Sequence, residues 1–451
     1  IIRGLHQDKT YVLTEDLAPL GYALCQDVEF KVEGAHGVTN KAEMIDELTV
    51  TEISKKDATT GEELPGATLT LKEKESGDII ETWVSTDTPH MIRGLHQDKT
   101  YVLTEDLAPL GYALCQDVEF KVEGAHGVTN KAEMIDELTV TEISKKDATT
   151  GEELPGATLT LKEKESGDII ETWVSTEEPH IIRGLHQDKT YVLTEDLAPL
   201  GYALCQDVEF KVEGAHGVTN KAEMIDELTV TEISKKDATT GEELPGATLT
   251  LKEKESGDII ETWVSTDTPH MIRGLHQDKT YVLTEDLAPL GYALCQDVEF
   301  KVEGAHGVTN KAEMIDELTV TEISKKDATT GEELPGATLT LKEKESGDII
   351  ETWVSTDTPH MIRGLHQDKT YVLTEDAAPT GYQTAKPVEF TVDGSMAYIN
   401  FVEIRNEKEP EIVATPLPTT GERPASRIGI ILSLLGTIII FLGYSIRRLW
   451  L

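Results

Sequence analysis

Lys55, Lys145, Lys235 and Lys325 each open the block KKDATTGEELPGATLTL, and consecutive blocks are spaced by a constant 90 residues. A period this regular fixes the architecture before any single motif is considered. Stacked solenoid repeats run to about 50 residues, so a 90-residue copy reads as a separate domain with its own core. Complete units are expected at 47–136, 137–226, 227–316 and 317–407. Residues 1–46 match the C-terminal half of one unit and form a partial domain. The chain starts at Ile1, partway through a repeat and without a signal peptide, so an upstream region is expected.

Within a unit, ATLTL (67–71) alternates, ESGD (75–78) supplies a turn, and IIETWVS (79–85) follows. TYVLTE (100–105) and VEFKV (118–122) alternate again. Short alternating runs punctuated by Gly, Pro and Asp predict an all-β fold, an antiparallel sandwich. No stretch of useful length has helical periodicity until the C-terminus. The first three complete units are nearly identical, whereas the last departs from Ala377 onward and ends its final strand in NFVEIRN.

The formal net charge of −42 excludes a nucleic-acid partner, whose phosphates need a basic face, and disfavours docking on anionic lipid. Four cysteines, Cys25, Cys115, Cys205 and Cys295, fall one per repeat, with Ala385 in the last, so no disulfide scaffold or paired-cysteine metal motif exists. Val28, Phe30 and Val32 share a strand phase that Cys25 does not, which predicts an outward-facing thiol or one at a strand start. His90 and His96 lack a third ligand at fixed spacing and read as loop residues, and Trp83 reads as core or sheet surface. No phosphate-cradling loop or nucleophile elbow is present, so no cofactor and no metal is expected.

Strand parity singles out three ionisable residues per unit. Lys145 is in phase with Ile143, Asp136 with Met134, and Glu105 with Tyr101 and Leu103, so each points toward the apolar face. Burying an amine and two carboxyls is costly unless pairing or chemistry relieves the charge.

KKDATTGEELPGATLTL, then YVLTEDLAPLGY, then a last strand ending in Asp or Asn, resembles the Cna B-type, SpaA-like domain of Gram-positive surface proteins. The resemblance spans about residues 1–407 and implies tandem prealbumin-like, inverse immunoglobulin-like β-sandwiches. It also implies a spontaneous intramolecular isopeptide bond in each complete unit. Carried over residue by residue, the lysine, assisting acid and acceptor are Lys55, Glu105 and Asp136, then Lys145, Glu195 and Asp226. The third unit gives Lys235, Glu285 and Asp316, and the last Lys325, Glu375 and Asn406. The partial domain keeps Glu15 and Asp46 but has no lysine. Burial is expected to lower the lysine pKa and raise those of the carboxyls, making a neutral amine available to attack the acceptor. Each site turns over once, so the protein is not an enzyme. The bond would close a loop of about 80 residues, which stabilises by roughly 4–5 kcal/mol on the cross-link entropy argument.

LPTTG occupies Leu417, Pro418, Thr419, Thr420 and Gly421. An uncharged run at 428–446 is long enough for a transmembrane helix, and Arg447 and Arg448 in the 447–451 tail set that tail in the cytoplasm. In this order the three resemble a sortase sorting signal, with 408–427 as linker and motif. That implies sortase and peptidoglycan as partners, cleavage between Thr420 and Gly421, covalent attachment through Thr420, and a membrane span used only by the precursor. The expected function is a wall-anchored extracellular stalk presenting an upstream adhesive region. Alternatives are a pilin subunit, basal or backbone, assembling with other pilins, or an adhesin whose repeats bind host extracellular matrix directly.

Overall fold

The computed structural model describes residues 1–411, and these are all-β. In the first complete unit the strands are β1 (Val50–Asp57), β2 (Thr68–Glu73), β3 (Ile79–Val84), β4 (His90–Arg93), β5 (Thr100–Leu107), β6 (Val118–Lys121) and β7 (Thr129–Asp136). The same seven recur in each later unit. They form two sheets, an antiparallel one in the order β6-β5-β2-β3 and a three-stranded one in the order β7-β1-β4. The second sheet corrects the purely antiparallel expectation, because β1 pairs with β7 in parallel and with β4 antiparallel. First and last strands of the domain are therefore neighbours, with Met134 opposite Lys55 and Asp136 opposite Asp57.

The core lies between the sheets. Leu69, Leu71 and Leu103 are fully buried, with Ile53, Tyr101 and Met134 packed around them. Each such side chain contributes roughly 1.5–3 kcal/mol by leaving water. Strand alternation sets what else is inward: Asn130, Ala132, Met134 and Asp136 are buried along β7 while their neighbours are exposed. Buried polar groups tie the strand ends together. Asn130 Nδ2 donates to the carbonyls of Val50 and Glu123 at 3.1 Å each, and its Oδ1 accepts the Glu123 amide at 2.6 Å. Trp83 is partly buried against the core and stacks on His90 with ring centroids 4.4 Å apart.

In residues 1–48, Thr10–Leu13 pairs with Val28–Lys31 and Tyr22–Ala23 with Glu47–Leu48. Among the described residues no helix is long and apolar enough to cross a membrane. The LPTTG motif, the apolar run at 428–446 and the basic tail lie outside the described residues.

Candidate functional site

Three strands bring Lys55, Glu105 and Asp136 together at one end of the core. The backbone of Lys55 is pinned from outside by the ELPG segment: its amide donates to Glu63 Oε2 at 3.2 Å and its carbonyl accepts the Leu64 amide at 2.6 Å. Two residues on, Asp57 accepts the Thr59 amide on Oδ1 at 2.6 Å and the Tyr112 hydroxyl on Oδ2 at 2.7 Å. The Tyr112 bond, with the Thr59 amide behind it, lowers the Asp57 pKa, while the same bond pushes Tyr112 up to about 12. The KxD and GY segments thus hold the exit of β1 in place, so the ζ-amine inside has little freedom.

Inside, Lys55 and Asp136 are 2 % and 0 % exposed. Lys55 Nζ hydrogen-bonds Asp136 Oδ1 and lies 2.8 Å from Glu105 Oε1. Glu105 is held by its other oxygen, which accepts the Cys115 amide at 3.0 Å. The second and third units repeat the cluster, with Lys145 2.8 Å from Glu195 and Lys235 2.8 Å from Glu285, each lysine bonded to Asp226 or Asp316. In the last, Lys325 bonds Asn406 Oδ1 and sits 3.0 Å from Glu375, whose Oε2 accepts the Ala385 amide at 2.6 Å.

The Asp and Asn units differ in one informative atom. Asn406 Nδ2 donates to Glu375 Oε1 at 2.8 Å. In the Asp units the matching atoms, Asp136 Oδ2 and Glu105 Oε1, are buried with no hydrogen-bond partner, as are their counterparts Asp226 with Glu195 and Asp316 with Glu285. Nζ is near enough to Glu105 for an ion pair but off-angle for a hydrogen bond. Two facing orphan oxygens are costly in a buried site. A proton on one of them, donated to the other, satisfies both and reproduces the amide arrangement.

Charge behaves differently from the simple burial expectation. Burial does raise the acid, with Asp136, Asp226 and Asp316 pushed up to about 7 against the pull of the lysine. Burial also presses on Lys55, Lys145 and Lys235, but the hydrogen bond to the aspartate and the charge of both neighbouring acids outweigh it, and these lysines are raised. Only Lys325, facing a neutral amide, is lowered by burial as expected.

The cysteine expectation is also corrected. Cys115 is partly buried against the core, and Lys55 Nζ lies 3.4 Å from its Sγ; Cys205 and Cys295 sit 3.5 and 3.4 Å from Lys145 and Lys235. Burial pushes all three thiols up to about 12, so they act as small apolar walls of the site rather than nucleophiles. Residues 113–117 are not a strand, so the phase of VEFKV does not extend back to the cysteine. Glu105, Cys115 and Asp136 place ligand-type atoms within 4.8 Å of one another, and the lysine amine already contacts all three. Glu15, Cys25 and Asp46 form the same trio in the partial domain. His90 instead pairs with Glu81 at 3.0 Å, and the His96 amide donates to the Tyr101 hydroxyl at 2.8 Å.

Among solved structures, the chain is similar to the TIE protein of Bacillus anthracis, at 20% identity over 84% of this chain and 76% of that one, TM-score 0.39. It is also similar to BcpA, the major pilin subunit of Bacillus cereus, at 14% identity over 60% of this chain and 99% of that one, TM-score 0.31. A streptococcal ancillary pilin matches at 15% identity over 60% and 99%, TM-score 0.26. No curated protein sequence matches the chain. The family model described as SpaA: Prealbumin-like fold domain matches residues 49–138, 139–228, 229–318 and 319–408. Four consecutive matches take in most of the sequence, and the chain belongs to the SpaA prealbumin-like fold domain family.

Proposed function

We propose that the chain is a stalk of tandem sandwiches on a Gram-positive cell surface, each complete unit closed by an autocatalytic isopeptide bond and the whole attached to peptidoglycan by sortase. The observation that carries the cross-link is the buried amine of each lysine set against the acceptor oxygen, with a glutamate beside both. Proton transfer within the pair turns ammonium and carboxylate into amine and acid without any change in charge, which a dry site favours. The amine nitrogen then forms a bond to Cγ of Asp136 and gives up a proton to the glutamate, and the C–O bond breaks as the glutamate delivers a proton to the departing hydroxyl, so that one water leaves. Water leaves from an Asp acceptor and ammonia from Asn406. The fold's placement of the reacting atoms supplies the effective concentration that amide formation otherwise lacks.

Sortase anchoring rests on the sequence order LPTTG, uncharged span and basic tail. The mature protein would carry Thr420 joined to a peptidoglycan amine, with the N-terminal repeats outermost.

Intact mass tests the chemistry. The full chain is expected to be lighter than its sequence by three waters and one ammonia, and Glu105→Ala to restore one water. A mass equal to the sequence mass overturns the cross-link. Release of the protein from walls by muralytic enzyme but not by detergent tests the anchor, and SDS-resistant polymers of the chain would instead mark it as a pilin.

A further inference from the structure

The joints between units carry a second pattern, independent of the lysine site. At the exit of the first complete unit, Gly111 donates its amide to Gln187 Oε1 of the next unit at 3.1 Å, and Gln187 Nε2 donates to the Tyr112 carbonyl. The Leu114 amide donates to the Gly214 carbonyl at 2.7 Å, and the Thr139 amide, at the start of the next unit, donates to the Gly111 carbonyl at 2.9 Å. The next two joints repeat this, with Gly201 on Gln277 at 3.1 Å and Gly291 on Gln367 at 3.0 Å. Backbones approach closely here: a Cβ on Gly111, already at φ +87°, would lie 2.9 Å from the Gly184 carbonyl oxygen. Leu197, Leu200 and Leu204 of one unit and Val302 and Ala305 of the next line a groove of about 550 Å³ across the joint.

The last complete unit is followed by 408–451 rather than by a repeat, and its outgoing positions change together. Ala377 and Thr380 stand where the first unit has Leu107 and Leu110, Thr384 where it has Leu114, and Lys408 and Glu409 where it has Leu138 and Thr139. The space around Gly381 is open. The incoming residues are kept: Gln367 and Gly394 still receive the preceding unit.

We infer that the outgoing DLAPLGYAL loop, with the Leu–Thr pair after β7, is a recognition surface for another unit of this same chain. It docks each repeat on its successor in one fixed geometry, and the polar replacements in the last unit end the series. Each hydrogen bond is worth only about 1 kcal/mol, but adjacent units are tethered by a few residues, so effective concentration lets a small interface close. This deepens the stalk reading, since stiffness serves a stalk, while standing on contacts that do not involve the cross-link.

Hydrogen exchange on the full chain tests it, with rates corrected for local sequence. The amides of Gly111, Leu114, Gly201, Leu204, Gly291 and Leu294 are expected to exchange at least about tenfold more slowly than those of Gly381 and Thr384. Changing Gln97, Gln187, Gln277 and Gln367 to Ala together, needed because the repeated peptides are identical, should bring the first group to the rate of the second. Gly381 and Thr384 should not move, and the protected amide of Ile143 in its strand reports that the units remain folded. Equal rates in the unaltered chain, or variant rates unchanged at the joints of folded units, overturn the inference; the unaltered chain decides it even where the variant fails to fold. The mass deficit is measured on the same samples, so loss of joint protection and loss of the cross-link are read separately.

Discussion

At the residue scale, the acceptor sets the direction in which its lysine pKa moves and, in the proposed cross-link, the leaving group. Lys145 is raised because two acids hold its ammonium, whereas Lys325, beside an amide, is lowered by burial. Asp226→Asn should therefore keep the bond but release ammonia, and the intact mass of that variant should show two waters and two ammonias lost. Retention of all the second unit's mass would contradict this. The pH dependence follows from counting protons. Amine plus acid carries as many protons as ammonium plus carboxylate, so pH acts through the further proton between the two carboxyls. Burial puts the Asp136 carboxyl at about 7, belonging to the cluster rather than to one oxygen. A raised pKa means the proton is held below about 7 and lost above it. Bond formation in the three Asp units should slow as pH rises past 7, by roughly tenfold per unit once titrated. Water loss followed by mass spectrometry during cell-free synthesis at several pH values measures it, and a rate that climbs with pH would sink the idea. The inward placement of lysine and acids was legible from alternation alone. The direction of the lysine shift was not, because it depends on how many oxygens surround Nζ, which sequence spacing does not reveal.

At the element scale, the site depends on strands being held at their ends. Asn220 Nδ2 donates to the Val140 carbonyl at 3.1 Å, and its Oδ1 accepts the Glu213 amide at 2.6 Å, so one side chain ties the start of the lysine strand to the acceptor strand and the loop before it. Asn220→Ala leaves those buried backbone groups unpaired and should cost about 1–3 kcal/mol. In calorimetry of the full chain this should appear as one unit melting ahead of the others, with the remaining transitions unmoved. Alternation made the strands themselves readable, from ATLTL to VEFKV. Two features escaped it. Parallel pairing of the first and last strands joins residues 81 apart, as in Lys55 with Asp136, and no local pattern records such a contact. The cysteines escaped for the opposite reason: Cys115 lies in an irregular segment where strand phase has no meaning, and the fold turns it toward the amine.

At the scale of the whole molecule, the proposed cross-links and the proposed docked joints would divide the mechanical work. Tension on the chain enters a unit at the start of the lysine strand and leaves at the end of the acceptor strand. These strands are parallel neighbours, so without a cross-link their hydrogen bonds would be loaded together in shear until the unit gave way and its whole length ran out. With Lys55 bonded to Asp136, 81 positions apart, the force would pass from one strand to the other through a single side-chain bridge, and the residues between them would carry none of it. Single-molecule stretching of the full chain should then show no unfolding event from any complete unit below the force that ruptures its anchoring points. Glu195→Ala, which leaves one unit unlinked, should add one event that releases about 280 Å of contour length, the extended span from Lys145 to Asp226, 81 positions apart. Events of that length from the unaltered chain would mean that its units are held by hydrogen bonds alone. A rod of docked units but without the bridges would resist bending and fail in extension, whereas bridges without docked joints would give an inextensible but slack string, so stretching and joint exchange together separate the two contributions.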